Sequence, residues 1–169
     1  MSKNLIIGID AGTSVIKSVA FDLTGRQIAV ASVPNRYTTA EDGSATQPLD
    51  QTWNDCVRSL RQLAEAVPNL AHRVTAVAVT GQGDGTWLID KDHQPVGDAW
   101  LWLDARAGHT AEKLRQSSND DARFLRTGTG LNACQQGAQF VHMMQHQPEQ
   151  LDRSATAFHC KDWLYMNLT

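Results

Sequence analysis

Apolar runs with the spacing of strands open the chain. Leu5–Ile9 is continuously apolar, and the segments "VIKSVAFD" and "QIAVASV" that follow are rich in β-branched residues. A Gly-containing turn, Leu23–Arg26, separates the second run from the third. Short β-branched runs divided by such turns are typical of neighbouring antiparallel strands. Residues 4–33 therefore predict a three-stranded β-meander.

The pattern then changes to a helical period. Six apolar residues recur at helical spacing between about Asp50 and Pro68. They are Trp53, Val57, Leu60, Leu63, Ala64 and Val67. We expect one amphipathic helix with Asp50 as its N-cap. The Val/Ala run Val74–Gly81 then predicts a strand that is buried on both faces, inside the sheet.

The rest of the chain alternates between the two periods. "TWLID" and "DAWLWLD", on either side of a turn at Asp92–Pro95, predict a hairpin-like pair of strands. Helices are predicted at 105–117, 120–126 and 135–147. A further helix begins in the tail "HCKDWLYMNLT", which has neither a Gly nor a polar cap. We therefore expect a chain that is cut short near its C-terminal end.

Composition excludes several classes of function. The 169 residues, 41% of them hydrophobic, suit one globular domain or a compact part of a larger one. The formal charge of -3 and the lack of a Lys/Arg-rich block argue against nucleic-acid binding. No apolar run approaches a signal peptide or a membrane span, which predicts a cytoplasmic protein. Three cysteines outside any CxxC pattern predict buried free thiols.

The turn after the first apolar run can carry chemistry. Asp10 closes the strand, and Gly12 permits a close backbone approach or a positive φ. Thr13 and Ser14 add hydroxyl donors to a run of backbone amides, which alone can bind an anion. Asp10 would then act through Mg²⁺ or a metal-bound water. The phosphate fingerprints GxxxxGK[ST] and GxGxxG are absent, so a plain hairpin turn is an equal alternative.

A second loop, "TGQGDGTWLID", follows the Val/Ala run. Three glycines in five residues surround Gln82 and Asp84, so two hydrogen-bonding side chains have open space beside them. Ligands with several hydroxyl groups need that combination of acceptors, donors and room. A flexible turn is the simpler alternative.

The third candidate is "WLWLDARA". Trp102 offers an apolar face, Asp104 a double acceptor and Arg106 a rigid fork of donors. A sugar or polyol has apolar C–H faces and hydroxyl edges, so it would suit this group. The alternative is a core Trp at a strand end, followed by a helix-capping Asp and an Arg that pairs with it.

Taken together, these motifs resemble the N-terminal half of the FGGY carbohydrate kinases. The match comprises "GIDAGTS", a next strand with Lys17, the Gly-Gln loop and "LWLDARA". The tail "TGTGLNACQQGAQFVHMMQHQPEQL" followed by "HCKDWLYMNLT" is similar to the family's Thr-Gly segment, helix and Lys-Asp-Tyr/Trp-Leu segment. The resemblance covers essentially all 169 residues. It implies an α/β fold of the actin-like ATPase, ribonuclease H-like type, with a mixed central sheet that opens with a β-meander and has helices on both faces.

The resemblance also implies roles for individual residues. The first phosphate loop would consist of Gly8, Asp10, Gly12, Thr13 and Ser14, with Lys17 near the transferred phosphate. The substrate would lie among Gln82, Gly83, Asp84, Trp102, Asp104 and Arg106. Phosphoryl transfer depends on positioning and electrostatics. Asp10, through Mg²⁺, and Lys17 would therefore be the main catalytic groups on this side.

ATP and Mg²⁺ are the implied cofactors, and a small polyol or sugar is the implied substrate. Family members have a second, nucleotide-binding domain and a catalytic-base Asp beyond the Lys-Asp-Tyr/Trp segment. We therefore expect residues 1–169 to be a truncated N-terminal, substrate-binding domain that is inactive alone.

The substrate itself is less closely defined. The run "GQGDGTWLID…GDAWLWLDAR" is most similar to erythritol kinases, while Gln-Gly-x-Gly also occurs in ketopentose kinases such as L-xylulose kinase. A non-catalytic actin-fold module that binds a sugar or a nucleotide is an alternative of a different class. The sequence is also compatible with a homo-oligomer.

Overall fold

The computed structural model describes residues 3–169, which form two compact units. The first unit comprises the residues up to Tyr37 together with Pro48–Gln82 and Cys160–Thr169. The second unit comprises Thr38–Gln47 and Gly83–His159. The chain therefore leaves the first unit twice and returns to it twice.

Nine strands and seven helices make up the described residues. In chain order they are β1 (Leu5–Ala11), β2 (Val15–Asp22), β3 (Gln27–Pro34), β4 (Thr38–Thr39), β5 (Ala45–Gln47), α1 (Leu49–Ala66), α2 (Leu70–Arg73), β6 (Val74–Gly81), β7 (Gly85–Ile89), β8 (Ala99–Leu101), α3 (Gly108–Arg115), α4 (Asp120–Thr127), α5 (Gln136–His146), α6 (Pro148–Asp152), β9 (Thr156–Phe158) and α7 (Cys160–Leu168).

A mixed sheet with the strand order β3-β2-β1-β6 is the centre of the first unit. β2 pairs antiparallel with both β1 and β3, which confirms the predicted meander, and β1 pairs parallel with β6. One face of β1 is buried, and α1 packs against β2 and β3. There the hydroxyls of Ser18 and Ser59 form a buried hydrogen bond of 2.6 Å. The indole N–H of Trp163 on α7 donates to the Leu49 carbonyl at 2.9 Å.

The start of α1 differs from its prediction. Pro48, in an extended conformation, is the N-cap, and no side chain caps the helix. Asp50 lies in the first turn, where a negative charge still interacts favourably with the helix dipole. The expectation that Asp50 is the N-cap is therefore wrong, because the helix already begins at Leu49 and Asp50 is its second residue. The predicted stop is confirmed, since the helix ends at Ala66 with Val67 as its C-cap.

β6 contradicts the expectation of an inner strand. Among residues 3–169 it is an edge strand whose only partner is β1. Most of its residues are exposed, and Val77 retains 47% of its accessible surface. A run of small apolar side chains suits a buried strand, yet the run alone does not show which neighbours cover it. The prediction that β6 is buried on both faces is wrong for the described part of the chain.

A second sheet, in the order β4-β5-β8-β7-β9, belongs to the second unit, and every pair in it is antiparallel. The predicted pairing of the segments that form β7 and β8 is confirmed. The helices predicted at 105–117, 120–126 and 135–147 are α3, α4 and α5, with small shifts of their ends. β4, β5 and β9 were not predicted, because strands of two or three residues carry too little pattern.

The core of the second unit lies between helices and this sheet. Leu88, Val96, Trp100 and Met143 form one buried cluster. The buried side chain of Gln139 on α5 links two strands. Its carbonyl accepts a hydrogen bond from the Thr86 hydroxyl at 2.6 Å, and its amide donates one to the Leu101 carbonyl. Helices thus pack against strands in both units, and the predicted α/β class with a mixed sheet is confirmed.

Two smaller expectations can also be compared with the structure. Cys56 and Cys160 are buried free thiols as predicted, whereas Cys134 is only half-buried. No helix among residues 3–169 has the length and apolar character that a membrane crossing requires.

Gly85, the first residue of β7, cannot carry a side chain. Its φ is +102°, and a Cβ atom there would lie 2.4 Å from the Trp100 carbonyl oxygen. We expect Gly85→Ala to lower the free energy of unfolding by about 2–4 kcal/mol, because β7 would have to move away from β8. Urea denaturation followed by tryptophan fluorescence measures this change.

Gly83, two residues earlier, is the matched control. A Cβ atom there would meet no atom within 4 Å, so Gly83→Ala should change the stability by less than about 0.5 kcal/mol. Equal destabilisation by the two substitutions would contradict the strain assigned to Gly85.

Candidate functional site

The turn between β1 and β2 places two opposite charges side by side. Asp10 at the end of β1 is the direct cross-strand partner of Lys17 on β2, and both side chains are exposed. Directly opposed residues of an antiparallel pair project from the same face of the sheet. The residues 12–14 connect the two strands beside this pair. The predicted carboxylate, amine and turn amides are therefore brought together within the first unit.

Asn35, which follows β3, fixes the conformation of this turn. Its side-chain amide donates to the Gly12 carbonyl at 2.8 Å, and its backbone N–H donates to the Ser14 carbonyl at 2.9 Å. Asn35 is 3% exposed, so both hydrogen bonds are shielded from competing water. Two carbonyls of the turn are thereby held towards Asn35.

The two glycines of the predicted phosphate loop have different surroundings. A Cβ atom on Gly12 would lie 3.0 Å from the Val15 carbonyl oxygen, and its φ is not in the positive region. Close backbone approach, and not a positive φ, is therefore the reason for a glycine at this position. Gly8 lies within β1, where a Cβ atom would only touch the Phe21 ring at 3.4 Å.

Gln82 adjoins the turn from the side of β6. Its backbone N–H donates to the Ala11 carbonyl at 3.0 Å, and the Thr13 hydroxyl donates to its side-chain oxygen at 3.4 Å. Beside them Cys160 directs its thiol towards the Ala11 carbonyl, 3.9 Å away. Burial raises the pKa of Cys160 to about 12, so this thiol stays neutral. Gln82 is thus buried against the predicted phosphate turn.

In the second unit, the loop before β7 presents Gly83 and Asp84 to solvent. The carboxylate of Asp84 accepts a hydrogen bond from the Cys134 thiol at 3.5 Å. Trp102 directly follows β8 and is 49% exposed, whereas Trp100, two residues earlier, is 2% exposed. Of the two tryptophans, Trp102 can therefore offer a ring face to a ligand, and Trp100 belongs to the core.

Asp104 and Arg106 form a closed, buried pair. The Asp104 carboxylate accepts from the Ala45 backbone N–H at 2.9 Å and from Nη2 of Arg106 at 2.6 Å, and its side chain is fully buried. The Arg106 guanidinium carbon lies 3.4 Å from the centre of the Trp100 ring, a cation–π contact. Both side chains therefore hold the loop after β8, and neither charge is exposed as an open binding group.

A magnesium ion suits the exposed end of β1. Asp10 offers one carboxylate beside the amides of the turn, and no group of three or more His, Cys, Asp or Glu residues within 3–169 could hold a metal ion. Mg²⁺ at nucleotide sites keeps several waters and needs only one or two carboxylates besides phosphate oxygens. A single carboxylate beside turn amides is thus compatible with a Mg²⁺ ion held together with a nucleotide, and residues 3–169 offer no closed metal cage.

The chain that carries the β1–β2 turn and the loops around β7 and β8 matches known proteins. The model of the N-terminal domain of the FGGY family of carbohydrate kinases matches residues 5–169. The chain belongs to the FGGY family of carbohydrate kinases. Carbohydrate kinases of this family use ATP, typically with Mg²⁺.

Individual relatives include kinases for several sugars and polyols. An erythritol kinase of Brucella abortus is 61% identical over 98% of this chain and 32% of its own length. A probable L-xylulose kinase of Pasteurella multocida is 24% identical over 98% of the chain and 34% of its own length. The chain therefore spans about a third of the length of these FGGY relatives.

Solved structures of the family share the fold. A xylulose kinase from Rhodospirillum rubrum superposes with a TM-score of 0.90 at 24% identity, over 96% of this chain and 34% of that protein. At this identity the likeness establishes the fold, which is the predicted actin-like ATPase fold of the FGGY kinases.

Sequence reasoning did not find Asn35 and Cys134. Their contacts join residues 23 and 50 positions apart, which no local motif reveals. A signal for Asn35 did exist, because the register of the meander pairs Pro34 with Val15 and so brings the next residue beside the turn. No comparable signal exists for Cys134.

The buried pair leads to a stability prediction. Asp104→Ala would leave the Arg106 guanidinium, only 15% exposed, without its carboxylate partner. We expect a loss of about 3–5 kcal/mol in the free energy of unfolding, because a buried charge remains uncompensated. Urea denaturation measures the change.

Asp92→Ala is the matched control. Asp92 pairs with Lys91 on the surface, with both side chains more than half exposed, and such pairs contribute about 0–1 kcal/mol. If both substitutions cost the same, the Asp104–Arg106 pair does not have the structural role described here.

Proposed function

We propose that the protein transfers a phosphoryl group from Mg²⁺-ATP to a hydroxyl group of a small polyol, with erythritol as the favoured substrate. The observation that carries the proposal is the 61% identity to an erythritol kinase over 98% of the chain. The geometry supports it, since an exposed carboxylate and amine flank the turn amides and a half-exposed Trp follows β8. The proposed cellular location is the cytoplasm.

Each loop has a separate task in this proposal. Asp10 would hold Mg²⁺, directly or through a water, and Lys17 would stabilise charge on the transferred phosphoryl group. The backbone amides near Gly12, Thr13 and Ser14 would bind phosphate oxygens. Mg²⁺ would neutralise negative charge that develops on those oxygens.

The substrate residues divide into contacting and supporting groups. Gly83, Asp84 and Trp102 are exposed and would contact the polyol, with the carboxylate accepting from hydroxyls and the indole face packing on C–H groups. Asp104 and Arg106 are closed by their own hydrogen bonds and would position the loop that carries Trp102. Gln82 is buried against Thr13 within the first unit and would hold the phosphate turn in place.

A second candidate substrate comes from the same family. Relatives described as L-xylulose kinases match nearly the whole chain at 24% and 23% identity, well below the identity to erythritol kinase. L-Xylulose, a ketopentose, is therefore the alternative substrate to erythritol, a tetritol.

A substrate panel tests the proposal. In the complete enzyme that carries this chain, coupled release of ADP from Mg²⁺-ATP should give the highest kcat/KM with erythritol, above L-xylulose and glycerol. A preference for L-xylulose would establish the alternative, and no release with any polyol or sugar would refute the kinase proposal. Residues 1–169 alone should release no ADP above a blank without enzyme, because they span a third of the relatives' length.

Two substitutions in the complete enzyme separate the proposed tasks. Asp10→Asn should lower kcat by about 10²–10³-fold with little change in the KM for the polyol, because it removes the charge that holds Mg²⁺. Asp84→Ala should raise the KM for the polyol about tenfold, the effect of losing a hydrogen bond to a charged group. Steady-state kinetics at saturating ATP measure both, and the reverse pattern would exchange the two assignments.

A further inference from the structure

The contact between Cys134 and Asp84 joins two distant parts of the second unit. Asp84 lies in the loop between β6 and β7, and Cys134 lies between α4 and α5. The Cys134 thiol is 3.5 Å from Oδ2 of Asp84. The half-buried thiol thus reaches an exposed carboxylate that we have assigned to the substrate.

A second contact fixes the same two segments. The Gly85 backbone N–H donates to the Cys134 carbonyl at 3.0 Å, and Gly85 is held in place by its close approach to Trp100. The Cys134 carbonyl therefore contacts Gly85, and the Cys134 thiol contacts the preceding residue, Asp84. The backbone contact holds the two segments side by side, so that the Cys134 thiol lies within reach of the Asp84 carboxylate.

The segment around Cys134 is itself tied by hydrogen bonds. The Gln135 side chain accepts from the Asn132 backbone N–H at 3.2 Å and donates to the Thr129 hydroxyl at 2.9 Å. The Gln135 backbone N–H donates to the Asn132 carbonyl at 3.2 Å. Cys134 is thus part of a closed turn and can act as a fixed support for its neighbour.

The chemistry of the pair assigns the direction of the hydrogen bond. Burial raises the pKa of the Cys134 thiol, and the negative charge of Asp84 raises it further. The thiol therefore stays protonated at neutral pH and donates to the carboxylate. A carboxylate has about four lone-pair positions, so one S–H donor leaves room for polyol hydroxyls to donate to the others.

We propose that Cys134 is a positioning residue for substrate recognition, which orients the Asp84 carboxylate towards the hydroxyl groups of the polyol. The proposal rests on the proposed kinase function and on the role of Asp84 in it. Without the thiol, the exposed carboxylate would sample several rotamers, and only some of them would accept from the substrate. The expected effect is on binding of the polyol and not on the phosphoryl transfer step.

Kinetics of the complete enzyme test this inference. Cys134→Ala should raise the KM for the favoured polyol about three- to tenfold with kcat and the KM for ATP nearly unchanged, since one weak hydrogen bond is lost. Cys134→Ser retains a hydrogen-bond donor at the same position, smaller but stronger than the thiol, and should restore the KM to within about twofold of the original value. A purely structural role of the thiol would not be rescued by the polar serine in this selective way.

The double substitution decides whether Cys134 acts through Asp84. In an Asp84→Ala background, Cys134→Ala should add less than about a twofold change, because the carboxylate that it orients is already absent. A further severalfold rise there, or an unchanged KM in the single Cys134→Ala variant, would overturn the proposal. If the unsubstituted enzyme phosphorylates no polyol or sugar, the proposed function fails instead, so the two failures are distinguishable.

Discussion

The parallel pairing of β1 with β6 is the constraint on which the geometry of the predicted phosphate turn depends. The register sets Ala11 beside Gly81, so that Gln82 emerges against the Ala11 carbonyl. Gly81 itself has no room for a side chain, since a Cβ atom would lie 3.0 Å from that carbonyl oxygen. β1 also pairs with β2 on its other edge, which sets Lys17 opposite Asp10. One strand thus determines the positions of the acid, the amine and the glutamine, and a shift by one residue would reverse their faces.

The parts of the fold that sequence could predict are those with a clear local pattern. The apolar and β-branched runs and the Gly-containing turn in residues 4–33 predicted the meander, and the helical spacing up to Val67 predicted α1. Packing that depends on distant neighbours could not be predicted in this way. The Val/Ala run of β6 has the composition of an inner strand, yet its burial depends on what lies beside it. The two contacts of Asn35 follow from the register of β2 with β3, which becomes a usable signal only when the pairing of the strands is known.

The segment after β8 agrees in part with each of the two interpretations of its motif, a ligand site and a set of structural residues. Residues two apart in a strand would point to the same face, but β8 ends at Leu101 and Trp102 already lies in the turn that follows. Trp100 is the core tryptophan, and Trp102 is the half-exposed one. The charged pair that follows them is closed on itself: Asp104 accepts from Arg106 and from the backbone of Ala45. The sequence predicted residue types that suit a ligand site. Only the side-chain contacts distinguish an exposed residue, which can contact a ligand, from a buried residue that supports the loop.

Gly83 and Gly85 give the loop before β7 an uneven tolerance of mutation. Gly85 is closed to every side chain by its backbone angle and by the Trp100 carbonyl, whereas a side chain at Gly83 meets no neighbour. Evolution can therefore vary the size and charge presented at positions 83 and 84 while the frame of the sheet stays the same. Under the proposed substrate role of this loop, a lineage with this fold would acquire a new ligand preference through neighbouring point mutations, without passing through a poorly folded intermediate.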